Sequence, residues 1–114
     1  MAEDVKEFYK EFPKAVQKMA QDIPEVVKSF QGVVGKSLEA GALTTKEKEF
    51  VALGIAVAQH CKPCIYLHAQ KAVAAGATRK EIMEAAGVAV LMGGGPAFTH
   101  AAEVVRALDA LGVP

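Results

Sequence analysis

At 114 residues the chain has room for one hydrophobic core and too little for two, so one domain spanning residues 1–114 is expected. Thirteen acidic residues cancel thirteen basic ones, a balance that argues against nucleic acid or an anionic membrane surface as partner. Tryptophan is absent while alanine, valine and glycine abound; such a small-residue core buries little area, so oligomerisation is expected to supply part of the stability.

The opening Met1-Ala2-Glu3-Asp4 is acidic and lacks the basic and apolar regions of a secretory signal, which argues for a cytoplasmic protein. From Asp4 to Gln21 a mixed polar and apolar segment reads as one helix, or as two divided near Pro13. Pro24 suits the first turn of a second helix, in which Val26, Val27, Phe30, Val33, Val34 and Leu38 recur at helical spacing; it should end near Ala40, with Gly41 as a left-handed cap. Thr44 with Glu47 three residues on is a capping-box signature and opens a third helix, which must stop near Gln59-His60 because of Pro63. Cys61 opens a fourth helix running through Ala75 to a cap at Gly76. Thr78 and Glu81 repeat the capping box for a fifth helix ending near Met92 at Gly93-Gly94-Gly95-Pro96, and a sixth runs from Pro96 to about Leu111. The glycines and Pro96 also interrupt the uncharged stretch from Ala85 to Ala102, which a bilayer span would need to be ~20 consistently apolar residues. No stretch alternates as a strand would. The expected fold is all-α, a compact bundle of about six helices with a core hairpin carrying a Cys-x-x-Cys at a helix N-terminus.

That pair, Cys61 and Cys64, carries the chemistry. Two cysteines three apart in the first turn of a helix lie within reach of one another, and the unpaired N–H groups and positive dipole end there favour a thiolate. Attack by one thiolate leaves a mixed disulfide or sulfenic acid, which the second thiol resolves into an internal disulfide. His68 stands four residues beyond Cys64 on the same helical face and is placed to serve as its base. Glu49 shares a register with Ala52, Leu53 and Ala56, on the apolar stripe of the third helix, and a carboxylate facing the core needs a partner. If the third and fourth helices pair as an antiparallel hairpin, Glu49, twelve residues before Cys61, comes to the later turns of the fourth helix, giving a relay from Glu49 through His68 to Cys64.

Each residue also has a plainer reading. Cys-x-x-Cys-x-x-x-His can supply three zinc ligands with His60, His100 or Glu49 as a fourth, although no second cysteine pair follows, and two cysteines can be inert core residues. Taken singly, His68 reads as a packed histidine and Glu49 as a charge favouring a helix N-terminus; their joint placement favours chemistry. His60 adjoins Cys61 in a turn where a histidine is usually solvated, and His100 sits among alanines, where packing or a subunit contact is the default. The glycine triplet resembles no phosphate cradle and suits close packing or a sharp turn. Lys46, Lys48, Lys71, Arg79 and Lys80 read as solvated faces.

The segments Glu47 to Leu53, Cys61 to His68, Ala74 to Thr78, Glu81-Ile82 and Met92 to Pro96 together resemble the AhpD-like, alkylhydroperoxidase branch of the carboxymuconolactone decarboxylase family, over roughly Thr44 to Leu108. The resemblance implies an all-helical domain assembling into homotrimers or homohexamers and acting as an antioxidant peroxidase or disulfide reductase without metal, haem or flavin. By position Cys64 would attack the hydroperoxide and become a sulfenic acid. Cys61 would protonate the leaving group, close the disulfide and meet the external reductant, a thiol or dithiol such as a lipoyl-bearing or thioredoxin-like protein. Glu49 and His68 would form the proton relay. A histidine often precedes the second cysteine in that branch; here it is Pro63, which removes a possible donor. Two further functions compete: the cofactor-free lactone decarboxylation for which the wider family is named, whose branch lacks the cysteine pair, and a metal-binding or structural oligomer without turnover.

Overall fold

Two helix starts follow from side chains that satisfy the free N–H groups of a first turn. Thr44 Oγ1 accepts from Glu47 N while Glu47 accepts from Thr44 N at 2.8 Å, and Thr78 and Glu81 make the same exchange, the latter bond at 2.9 Å. The computed structural model describes residues 2–114 and places five helices in the order α1 (Ala2–Asp22), α2 (Pro24–Leu38), α3 (Thr45–Ala58), α4 (Lys62–Ala74) and α5 (Arg79–Ala110), with no strand among the described residues. Its all-α architecture is the expected one. Pro13 lies inside a single helix α1.

The core is where α3, α4 and α5 pack on one another, around Leu53, Val57, Ile65, Ile82, Val104 and Leu108. Alanines at 56, 69, 72, 86, 97 and 107 are buried among them and let the helices approach closely. Val5 of α1 joins this core, while α2 rests on α1 and α3 and buries only Val27. Val26, Phe30 and Val33 of the expected apolar stripe of α2 stay exposed.

One expectation needs correction. Helix α2 stops at Leu38, short of Ala40, and Gly41 is not a left-handed cap: Glu39 leaves in extended conformation, φ −61° and ψ 138°. Side chains of the next helix satisfy the exposed carbonyls instead, Thr45 Oγ1 donating to Leu38 O at 2.8 Å and Lys48 Nζ to Glu39 O at 2.6 Å. At the other end of the chain, the break expected between a fifth and a sixth helix is present: the run labelled α5 is two helices joined at Gly94, whose φ 69° and ψ −150° are not helical, and its two halves turn back so that Arg79 pairs with Asp109 at 3.0 Å. Pro96 falls in the first turn after the bend, where its missing N–H costs nothing. Gly93 allows the close approach: a Cβ there would sit 2.6 Å from Ala97 Cβ and 3.7 Å from Ala58 Cα of α3.

The cap at Gly76 is as expected. With φ 93° it lets Ala77 N reach Ala72 O at 3.0 Å and Gly76 N reach Val73 O at 3.0 Å, closing α4.

Candidate active site

The hairpin between α3 and α4 turns at a residue that sequence spacing alone did not single out for strain. His60 takes φ 60°, the left-handed position usually held by glycine, so that His60 N reaches Val57 O at 3.2 Å and Cys61 N reaches Ala56 O at 3.0 Å. Its ring stacks on His100 of α5, with centroids 4.7 Å apart and planes 22° apart. His100 Nδ1–H donates in turn to Pro96 O at 2.8 Å. The two histidines, read separately in the sequence, thus face one another across the turn and the bend of α5.

Cys61 is the N-cap of α4. Its Sγ accepts from Cys64 N at 3.3 Å, where a serine or aspartate oxygen would ordinarily cap. Cys61 and Cys64 are joined as a disulfide with Cα atoms 5.3 Å apart, and Pro63 lies in the first turn, where proline is tolerated. Cys61 and Cys64 are both half-buried.

Glu49, on the core side of α3, is 2 % exposed. Its Oε1 lies 2.7 Å from His68 Nδ1, across the antiparallel pairing of α3 and α4. An ionised carboxylate only accepts, so the proton of this bond belongs to Nδ1, and in the neutral ring the lone pair is then on Nε2. His68 is one helical turn beyond Cys64 on α4. The structure therefore brings Glu49 to His68 and Cys61 to Cys64, with the two pairs linked through the register of a single helix. Among the described residues, no three His, Cys, Asp or Glu side chains gather to hold a metal ion.

A second buried acid was missed. Glu103 of α5 is 5 % exposed and accepts from Tyr66 Oη at 2.6 Å; it also pairs with Arg106 and, at 3.9 Å, with Lys62, which stands between the two cysteines. Burial by itself would raise the Glu103 carboxyl, but the Tyr66 hydrogen bond and the Arg106 and Lys62 charges outweigh it and hold the group below the usual range. Burial, then the Glu103 hydrogen bond and charge, push Tyr66 up to about 12. Tyr9 of α1 closes the cluster by donating to Tyr66 O at 2.6 Å; burial first, then Tyr66, raises its phenol well above the usual range. The register reasoning that finds Glu49 also finds Glu103, which shares the apolar stripe of Ala107; its partner, 37 residues away, is invisible to spacing.

Two of the cations expected on solvated faces bridge helices instead. Lys46 Nζ reaches Glu81 Oε2 at 3.1 Å, and Arg79 joins Asp109 at 3.0 Å and Val113 O at 2.8 Å, tying the start of α5 to the chain's end.

The carboxymuconolactone decarboxylase family model matches residues 24–107, most of the chain and all of this site. The chain belongs to the carboxymuconolactone decarboxylase family. Among solved members, a protein of that family from Legionella pneumophila, crystallised in its apo form, is 36% identical over 93% of this chain and 95% of its own, with a TM-score of 0.88. A Thermotoga maritima member, described with a suggested involvement in the antioxidative response, is 31% identical over 74% of this chain and 87% of its own, with a TM-score of 0.69. An uncharacterised Cupriavidus necator protein is 31% identical over 97% of this chain and 98% of its own length. The family fold is thus the one seen here, with a Cys-x-x-Cys pair on its central hairpin.

Proposed function

We propose that this family member is a thiol-dependent peroxidase or disulfide reductase with an antioxidant role, in which Cys61 and Cys64 cycle between dithiol and disulfide. The observation that carries the reading is the bonded cysteine pair at the tip of α4, one turn before a histidine whose other nitrogen is held by a buried carboxylate. The suggested antioxidative involvement of the Thermotoga relative supports it.

In the reduced enzyme His68 Nε2 takes the proton of Cys64, and Glu49 stabilises the resulting imidazolium through Nδ1. The Cys64 thiolate attacks the distal peroxide oxygen, the O–O bond breaks, and the alcohol departs with a proton supplied by Cys61. Cys64 is left as a sulfenic acid. The Cys61 thiolate then attacks that sulfur, hydroxide leaves with a proton from His68 as water, and the disulfide forms. An external dithiol returns two electrons and two protons. The N-terminal amides and dipole of α4 stabilise thiolates throughout.

One equivalent of hydroperoxide added to the reduced protein is expected to remove two hydrogens from its mass. In Cys61→Ser it is expected to leave a sulfenic acid at Cys64 that a dimedone-type reagent traps. If neither product forms, the reading fails. The family name favours a second reading, acid-base decarboxylation of a lactone; turnover of γ-carboxymuconolactone that survives Cys64→Ser would establish it in place of the first.

A further inference from the structure

Helix α4 is held between two buried acids. Cys64 and His68 share one stripe, and Glu49 reaches that stripe from α3. Lys62 and Tyr66, each two residues from those positions and so about 200° around the helix, form another stripe, and Glu103 reaches that one from α5. The relay above uses only the first acid. The second is also buried, accepts from Tyr66 and pairs with Arg106, and engages the one charged side chain lying between the two cysteines.

We infer that Glu103 is a positioning residue for the redox couple: by drawing the Lys62 ammonium toward α5 it withholds that cation from the Cys61 and Cys64 sulfurs and keeps their disulfide harder to reduce. This rests on the thiol reading of the site. The geometry gives the ammonium two possible partners. Lys62 is the first residue of α4, and its neighbours along the chain are Cys61 on one side and Pro63-Cys64 on the other. When the sulfurs are joined they carry no charge, and Glu103, 3.9 Å away, is the carboxylate that Lys62 faces. When the disulfide takes up two electrons and the pair becomes thiol and thiolate, a negative charge appears at the tip of α4 and competes for the same ammonium. Glu103 is anchored by Tyr66 and Arg106 and does not follow it. The cost of pulling Lys62 off Glu103 therefore counts against the reduced state.

The test is the equilibrium of the full-length protein with reduced and oxidised glutathione at neutral pH. Protein disulfide and two glutathione thiols exchange for protein dithiol and glutathione disulfide, two electrons and two protons passing to the protein and one of those protons being lost where a thiol ionises. Glu103→Gln keeps the shape and the acceptor for Tyr66 while removing the charge; it is expected to shift the constant about three- to tenfold toward the dithiol. Lys62→Gln, an exposed substitution that leaves the core alone, is expected to shift it toward the disulfide. With Lys62→Gln already present, Glu103→Gln should have almost no further effect, because its action passes through Lys62. A merely structural Glu103 would lower the melting temperature of the oxidised protein without this dependence on Lys62. An undiminished Glu103→Gln shift in the Lys62→Gln background overturns the inference, as does an unchanged constant in either single variant; should Glu103→Gln not fold, Lys62→Gln alone still decides. A wild-type pair that never equilibrates with glutathione would sink the thiol reading itself, whereas a wild type that equilibrates beside unresponsive variants sinks this inference alone.

Discussion

Glu49 is nearly solvent-free, and its carboxylate is held by the imidazole one turn beyond Cys64. A buried carboxylate without that bond would cost more than the bond contributes, which ties Glu49 and His68 together energetically. Glu49→Gln is expected to slow peroxide-driven disulfide formation by up to about 10²- to 10⁴-fold, the usual weight of the general base that Glu49 holds in place, with the fold retained by circular dichroism. Phenols report the second cluster. The chain has two tyrosines and no tryptophan, so phenolate absorbance reads Tyr9 and Tyr66 alone. Both have folded values above the ordinary phenol value near 10. A raised value means that their contribution to stability is complete below about pH 10 and, for Tyr66, is lost as pH rises through about 12. Chemical denaturation across that window is expected to show falling stability, with a smaller fall in Tyr66→Phe. Glu103 has the opposite sign: its depressed carboxyl stabilises above the unfolded carboxyl range, and that contribution disappears as pH falls through the folded value.

At the level of elements, α5 shows why one glycine cannot stand for another. Gly93 is helical and must lack a side chain because a Cβ there would sit 2.6 Å from Ala97 Cβ, while Ala58 would be at ordinary contact distance. Gly94 has open space around it and must be glycine because of its backbone, at φ 69°. Alanine at either position is expected to destabilise by about 1–3 kcal/mol, through overpacking at 93 and backbone strain at 94. Urea titration of both variants checks this, and Gly95→Ala, in open space with an ordinary φ, is the control. The bend matters to the site because it carries His100 back onto His60, beside Cys61.

The molecule as a whole leaves much apolar surface uncovered. Its accessible area is 7031 Å², against roughly 6,000 Å² for a compact monomer of 12.0 kDa. Leu91 is 80%, Met92 78% and Phe98 69% exposed on α5, and Phe30 is 65% exposed on α2. Open apolar grooves of about 420 and 630 Å³ run along α5, one shared with Phe50, Val51 and Ile55 of α3. Such exposed apolar area suits contact between copies of this chain, the assembly expected from its small-residue core. Leu91→Glu with Phe98→Glu is expected to lower the sedimentation coefficient of an assembled wild type to that of the monomer; a wild type that sediments as a monomer counts against this reading.

What the chain announces by itself lies within a turn or two of helix: the capping boxes at Thr44 and Thr78, the end of α4 at Gly76, the cysteine pair at the tip of α4, and the charge at Glu49 on an apolar stripe. These are short-range effects, in which a side chain meets backbone no more than about four residues away, so spacing encodes them. The Glu49–His68 bond was legible because a tight hairpin leaves little choice of pairing. Packing decided the rest. Lys48 and Thr45 closed α2 in place of Gly41, the two halves of α5 turned back until Arg79 met Asp109, and Glu103 found Tyr66 across 37 residues. Those outcomes depend on which helix faces meet in three dimensions, a property of the assembled core and of no single stretch of chain.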